Sequence, residues 1–174
     1  MLVVKYKPHT DKFLFFELLE EKAVLQRKWL SNEIIIGNDR YQIKYKYVTK
    51  DKIGFKRNLL IVIKRENMEI VKIDTPSSFG GIWEYAFTYD SVNYCITTRT
   101  PREISILREN VYIGEIRSRG LFSNCWEINL QQDTPLLIQA FLFYLRLWLY
   151  WGEHISVWKS GKVVQMPANR VKVN

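Results

Sequence analysis

Cysteine and histidine are scarce, two of each, and the cysteines lack the spacing of a metal site or a disulfide framework. Cys95 and Cys125 frame neither a zinc site nor a disulfide network, which points to a reducing, cytoplasmic compartment. His9 sits in a Pro-His-Thr-Asp turn and His154 just beyond the most apolar stretch. Both read as surface residues, because no neighbouring motif supplies a nucleophile or an orienting acid. There is no Gly-x-Ser-x-Gly elbow, no phosphate-cradling glycine loop with its lysine, and no His-Glu-x-x-His. Glu20 and Glu21, as sequence neighbours, point in different directions and make no acid–base pair. Cys125 reads as a small buried hydrophobe on a strand. The expectation is a protein that is not an enzyme and needs neither metal nor cofactor.

Other absences narrow the class. No internal repeat or low-complexity segment interrupts the chain. Lysines break the apolar stretch at residues 1–7 and no small-residue cleavage site follows, so this segment reads as a first strand and not as a secretory leader. What is present is a chain of 174 residues, 47% apolar and 14% aromatic. That is enough for one domain with its own core, without disulfide or metal staples. A net charge of +8 favours anionic partners, although lysine also serves simply to keep strand edges apart.

Alternation of apolar and polar residues runs from the start to about residue 130. The clearest strand is 41–48, with Tyr41, Ile43, Tyr45 and Tyr47 on one face and Gln42, Lys44 and Lys46 on the other. Further strands are expected at 2–6, 59–64, 68–73, 82–88, 92–97, 103–107, 111–116 and 125–130. Residues 13–19 and 23–29 read either as two strands about Glu20-Glu21 or as one helix; their β-branched and aromatic flanks favour strands. Ile36-Gly37-Asn38-Asp39 is a turn. Short strands at about ten-residue spacing, joined by turns, predict an antiparallel sandwich or barrel.

The pattern then changes. Asp133-Thr134-Pro135 offers a capping carboxylate or hydroxyl followed by proline, and residues 136–151 are apolar almost all the way round, with Gly152 as the expected stop. Gln139, Arg146 and Glu153, seven residues apart, form one narrow polar stripe. Such a helix must be surrounded by protein or lipid. Sixteen residues span about 24 Å, short of the roughly 30 Å of a bilayer core, and Arg146 lies well inside. A helix threaded through a barrel fits better, with Gln139 and Arg146 as its buried polar groups and Arg146 in need of a partner. Residues 155–164 read as a small terminal hairpin carrying Trp158, ahead of a basic tail.

The run Ile104-Ser105-Ile106, Val111-Tyr112-Ile113-Gly114-Glu115-Ile116-Arg117, Trp126-Glu127-Ile128-Asn129-Leu130, Asp133 and Leu136-Leu137-Ile138-Gln139-Ala140 resembles the end of a tubby C-terminal-like domain, in the branch of the phospholipid scramblases and LURP-one-related proteins. The resemblance covers about residues 80–140. It implies one mainly β domain over 1–174: an antiparallel closed barrel of about twelve strands around an apolar helix at about 135–152. The hairpin and tail at 154–174 depart from the pattern, and the alternating acidic calcium ligands of scramblases have no counterpart. The function implied is non-catalytic binding of anionic phospholipid or phosphoinositide head groups, at the periphery of a cytoplasmic membrane surface.

Two basic groups are candidates for that binding. Lys44, Lys46, Lys50, Lys52, Lys56 and Arg57 follow one another in a strand and the loop after it, and Arg99, Arg102, Arg117 and Arg119 form a looser second group. Lys44 and Lys46 project on one side of a strand, about 7 Å apart. The rival readings are a protein-interaction module docking through the terminal hairpin, and single-strand nucleic-acid binding by interleaved aromatics and lysines. No RNP-type motif supports the latter. A cysteine-dependent enzyme built on Cys125 ranks last.

Overall fold

Alternation across so many short segments can bury its apolar face only if the sheet curls back on itself, and it does. The computed structural model describes residues 1–28, 32–49, 57–77, 84–100, 103–119 and 124–155. Twelve strands are followed by one helix: β1 (Leu2–Lys7), β2 (Lys12–Glu17), β3 (Glu20–Arg27), β4 (Asn32–Ile36), β5 (Asp39–Thr49), β6 (Arg57–Arg65), β7 (Met68–Ser77), β8 (Glu84–Tyr89), β9 (Val92–Thr100), β10 (Glu103–Arg108), β11 (Val111–Ser118), β12 (Cys125–Leu130) and α1 (Leu136–Ile155). Every strand pairs antiparallel with its sequence neighbour except across β7 and β8, while β1 pairs with β12. The result is a nearly closed barrel whose seam lies between β7 and β8.

Strand direction alternates, so all even-numbered strands end at one rim. There the connections are two-residue turns, and four of them hold both central residues at positive φ: Leu18-Leu19, Glu66-Asn67, Asp90-Ser91 and Glu109-Asn110. Such turns match the right-handed twist of the strands they join. The opposite rim carries the longer connections, apart from the two residues between β9 and β10. We call these the tight and loose rims. In the hairpins β2–β3, β6–β7 and β10–β11, four strands apart, one extra residue (Lys22, Ile70, Ile113) bulges at the same offset past the turn. In two of these hairpins the regularity extends to residue identity: Ile63, Arg65-Glu66-Asn67 and Ile70 recur as Ile106, Arg108-Glu109-Asn110 and Ile113, a short repeat that the reading of the sequence did not register.

The helix α1 enters from the tight rim and fills the barrel. Ala140 to Leu147 are eight consecutive residues, none more than 5% exposed, so over two turns no face of the helix meets solvent. It packs on β3, β4, β9 and β12 from different sides. Phe143 meets the rings of Phe13, Phe15 and Trp126 at centroid distances of 5.3–5.5 Å, and Phe141 meets Phe87 at 5.2 Å. Asn32 Nδ2 donates to the Tyr144 hydroxyl at 3.1 Å. No helix among the described residues is long and apolar enough to cross a membrane.

Several expectations need correction. Residues 12–27 do form two strands, but they turn at Leu18-Leu19 and not at Glu20-Glu21, which open β3, and Trp29 lies outside the described residues. Sequence alone missed β4, because Glu33 sits in it as a buried residue (9% exposed), its carboxylate taken by Lys28 Nζ at 2.7 Å. The helix continues through Gly152 to Ile155, since a single glycine costs a helix only about 1 kcal/mol. Neither expected cap forms: the Asp133 carboxylate is held by Arg108 Nη1 at 2.7 Å, and the buried Thr134 hydroxyl makes no hydrogen bond. Gln139 Nε2 donates instead to the Thr134 carbonyl at 2.8 Å, so Gln139 is half-buried at the mouth of the barrel and not inside it. Arg146, 3% exposed, lies over the Trp126 ring with its guanidinium carbon 5.8 Å from the centroid. Cys125 is half-buried. Residues 156–174, with the expected hairpin and tail, lie outside the described residues.

Candidate anion-binding rim

Counting turns decides where the two basic groups stand. The strand β5 runs from the tight rim to the loose rim, so Lys44 lies at its middle, exposed, and Lys46 nearer the loose rim. Arg57 starts β6 at the same rim, opposite Thr49. Near the end of β9, Arg99 is the extra residue where β9 and β10 shift register. Arg117 is next to last in β11, and Arg119 follows that strand. Residues far apart in sequence thus belong to one end of the barrel. Lys50, Lys52, Lys56 and Arg102 lie outside the described residues.

The arginines of the second group are not idle charges. Arg117 Nε is 2.7 Å from Glu115 Oε1, and Arg119 meets Glu127 Oε1 at 2.6–2.7 Å from two nitrogens. The Glu127 hydrogen bond holds the Arg119 guanidinium above its ordinary range. A ligand would have to share these arginines with their carboxylates.

Sequence reasoning missed the first hairpin. Lys5 and Lys7 close β1, and Lys12 opens β2, all at the loose rim. Among the described residues no ion pair takes up Lys7, Lys12 or Lys44; Lys5 Nζ stands 5.4 Å above the Phe16 ring. The corner between β1 and β2 is firmly built. Tyr6 Oη donates to Asp11 Oδ1 at 3.0 Å, Arg27 Nε lies 3.3 Å from Asp11 Oδ2, and the Arg27 amide donates to the Asp11 carbonyl at 3.0 Å. His9 is exposed on the short 3-10 turn Pro8–Thr10 of the same corner. The signal that could have found these lysines was available: strand polarity, once every turn is counted.

The opposite rim has the other sign. Glu17, Glu20, Glu21, Asp39, Glu66, Glu69, Asp90, Glu109 and Asp133 stand about the tight turns, where Lys22, Arg65 and Arg108 pair with Glu20, Asp39 and Asp133, and Arg40 and Lys64 offset the remainder only in part. The described charges are therefore unequal at the two ends, with the excess of carboxylates at the tight rim.

Three tyrosines tie proton binding to the fold. Burial pushes Tyr6, Tyr41 and Tyr94 above the ordinary tyrosine value of 10.0, with Asp11 adding to the rise at Tyr6 and Asp39 at Tyr41. A group whose folded value is raised gives stability that is complete below the unfolded value and is lost as pH climbs through the folded one. Denaturation midpoints are accordingly expected to be flat with respect to these groups below pH 10 and to fall above it, together with rising tyrosinate absorbance. A midpoint that rises above pH 10 contradicts the assignment.

Among the described residues, no group of three His, Cys, Asp or Glu side chains is placed to hold a metal ion. Comparison with known protein families, with curated proteins and with solved structures returns no match.

Proposed function

We propose that the protein is a non-catalytic domain that binds anionic phospholipid or phosphoinositide head groups through its loose rim. One observation carries the reading: strand polarity gathers Lys5, Lys7, Lys12, Lys46, Arg57 and Arg99 at one end of a barrel whose other end is acidic. Lysines without carboxylate partners retain their charge for an anionic surface, worth about 1 kcal/mol each near a charged membrane. Membership in the tubby C-terminal-like group belongs to the same proposal. Its support is the twelve-stranded barrel about an apolar helix, together with Gly114-Glu115-Ile116 and the aspartate before the helix.

The test is flotation with phosphatidylcholine vesicles, with and without a phosphoinositide. The double replacement Lys7→Ala/Lys12→Ala is expected to weaken binding to the charged vesicles by about thirtyfold at low salt. Lys64→Ala, near the tight rim, should leave it unchanged. Equal retention on neutral and charged vesicles, or equal losses at both rims, removes the proposal.

A second reading, docking of a protein partner, is favoured by Leu18 and Leu19. Both sit at the tight rim, 96% and 94% exposed, in a left-handed turn that leucine adopts at a cost.

A further inference from the structure

The bulged hairpins β2–β3, β6–β7 and β10–β11 divide the twelve strands into three units of four, opened by β1, β5 and β9. Register fixes which residues correspond. Val4 pairs with Phe15, Ile43 with Ile63 and Ile96 with Ile106, and all six side chains are 0% exposed. Phe15, Ile63 and Ile106 stand at the same distance before their left-handed turns, at Leu18, Glu66 and Glu109. Val4, Ile43 and Ile96 are therefore one position seen three times. Three residues further along each strand, toward the loose rim, come Lys7, Lys46 and Arg99. The paired strands carry unlike residues beside them, Lys12, Leu60 and Glu103. A cation in every unit is thus a feature of that one position and not of the rim as a whole.

Spacing selects the partner. The strands β1, β5 and β9 follow one another at every fourth place around the barrel, so their cations start about 19 Å apart along the sheet, four strand spacings of about 4.8 Å. The helix α1 fills the axis between them, with Leu145 at 0% and Arg146 at 3% exposure. The three positions surround a filled centre and do not converge on one phosphate. A single inositol head group carries its phosphates on one sugar ring and meets one of these positions at a time. A bilayer presents anionic groups over a plane and meets all three together. We propose that the loose rim stands on the plane of an anionic bilayer through one cation from each unit, Lys7, Lys46 and Arg99, and responds to total surface charge without selecting a phosphoinositide. This rests on the lipid binding proposed for the same rim and names its partner as the membrane surface itself.

The test is flotation of the full-length protein with phosphatidylcholine vesicles carrying either phosphatidylserine or a phosphoinositide, matched for surface potential. Binding to the two is expected to agree within about twofold. Lys7→Ala, Lys46→Ala and Arg99→Ala are each expected to cost about fivefold at low salt. The triple replacement should cost on the order of a hundredfold, because sites this far apart act independently. Leu60→Lys gives the second unit what Lys12 gives the first, and is expected to strengthen binding by about fivefold, a gain that damage to the fold does not produce. Free inositol trisphosphate, added at constant ionic strength, should not displace the protein from either vesicle. Displacement, a phosphoinositide preference above about tenfold at matched potential, or a loss confined to one of the three positions overturns the inference and leaves lipid binding standing. Absence of binding to both charged vesicles overturns the two together.

Discussion

Phe143→Ala is expected to lower the free energy of unfolding by about 3–5 kcal/mol, the usual cost of removing a fully enclosed aromatic side chain. The reasons are specific to this ring. Phe143 is 0% exposed and lies between strands that do not pair with each other along its whole length, touching Phe13 and Phe15 on β2 and Trp126 on β12. The hole left by alanine is walled by β-ladders on several sides. Strands held in register cannot move inward to fill it, so the cavity persists and its cost is not relieved by relaxation. Urea unfolding followed by tryptophan fluorescence reads the effect as a lower midpoint at unchanged slope. A loss below about 1 kcal/mol would mean that the helix is not enclosed as described.

Gly114→Ala should be as damaging, by a different route. Gly114 has φ +144 and is buried, just after the bulged Ile113, where β11 pairs simultaneously with Ile106 of β10 and Leu130 of β12. A Cβ there would run into the Asn129 carbonyl oxygen and come within 2.9 Å of Leu130 Cα, both of them backbone in the neighbouring strand. Two ladders fix the positions of those atoms, so nothing flexible is available to give way. Backbone strain and collision together are expected to cost about 3 kcal/mol or more. Gly37→Ala is the internal control. Its φ is +57 and a Cβ would meet nothing within 4 Å, so the expected loss is about 1 kcal/mol, from backbone conformation alone. Equal effects at the two glycines would contradict the close approach of β11 and β12.

The contrast between these residues shows what the amino-acid order made legible. Apolarity on every side of residues 136–151 required an enclosing sheet, and alternation at Tyr41, Ile43 and Tyr45 identified strands with one buried face; both physical signals are strong and local. Gly114 was visible as a member of a short Gly-x-Ile pattern, but the reason for glycine lies in Asn129, on another strand. The β2–β3 turn was misplaced because leucine is a poor occupant of a left-handed turn, and the charged pair Glu20-Glu21 was the better local candidate. Polar termini of the helix were read as caps from chemistry alone. Arg108, distant in sequence, claims Asp133 instead.

The basic rim follows the same division. Basic residues could be counted in sequence, but their convergence depends on the parity of strands, and β4 had gone unrecognised. One missing strand reverses the direction assigned to everything after it. Lys5, Lys7 and Lys12 were overlooked because they are spread across two short strands and look like ordinary edge lysines. The seam falls at the most turn-like run of the sequence, residues 76–81, which reads as a loop and not as a break in the sheet.

Amide hydrogen exchange along the helix bears most directly on the architecture from which the rims and the seam derive. If residues 138–147 are enclosed by the barrel, their amides exchange only when the whole protein unfolds, with the same denaturant dependence as the ladders of β3 and β12. Exchange of those helix amides through local opening, with little denaturant dependence and ahead of the strands, would contradict it.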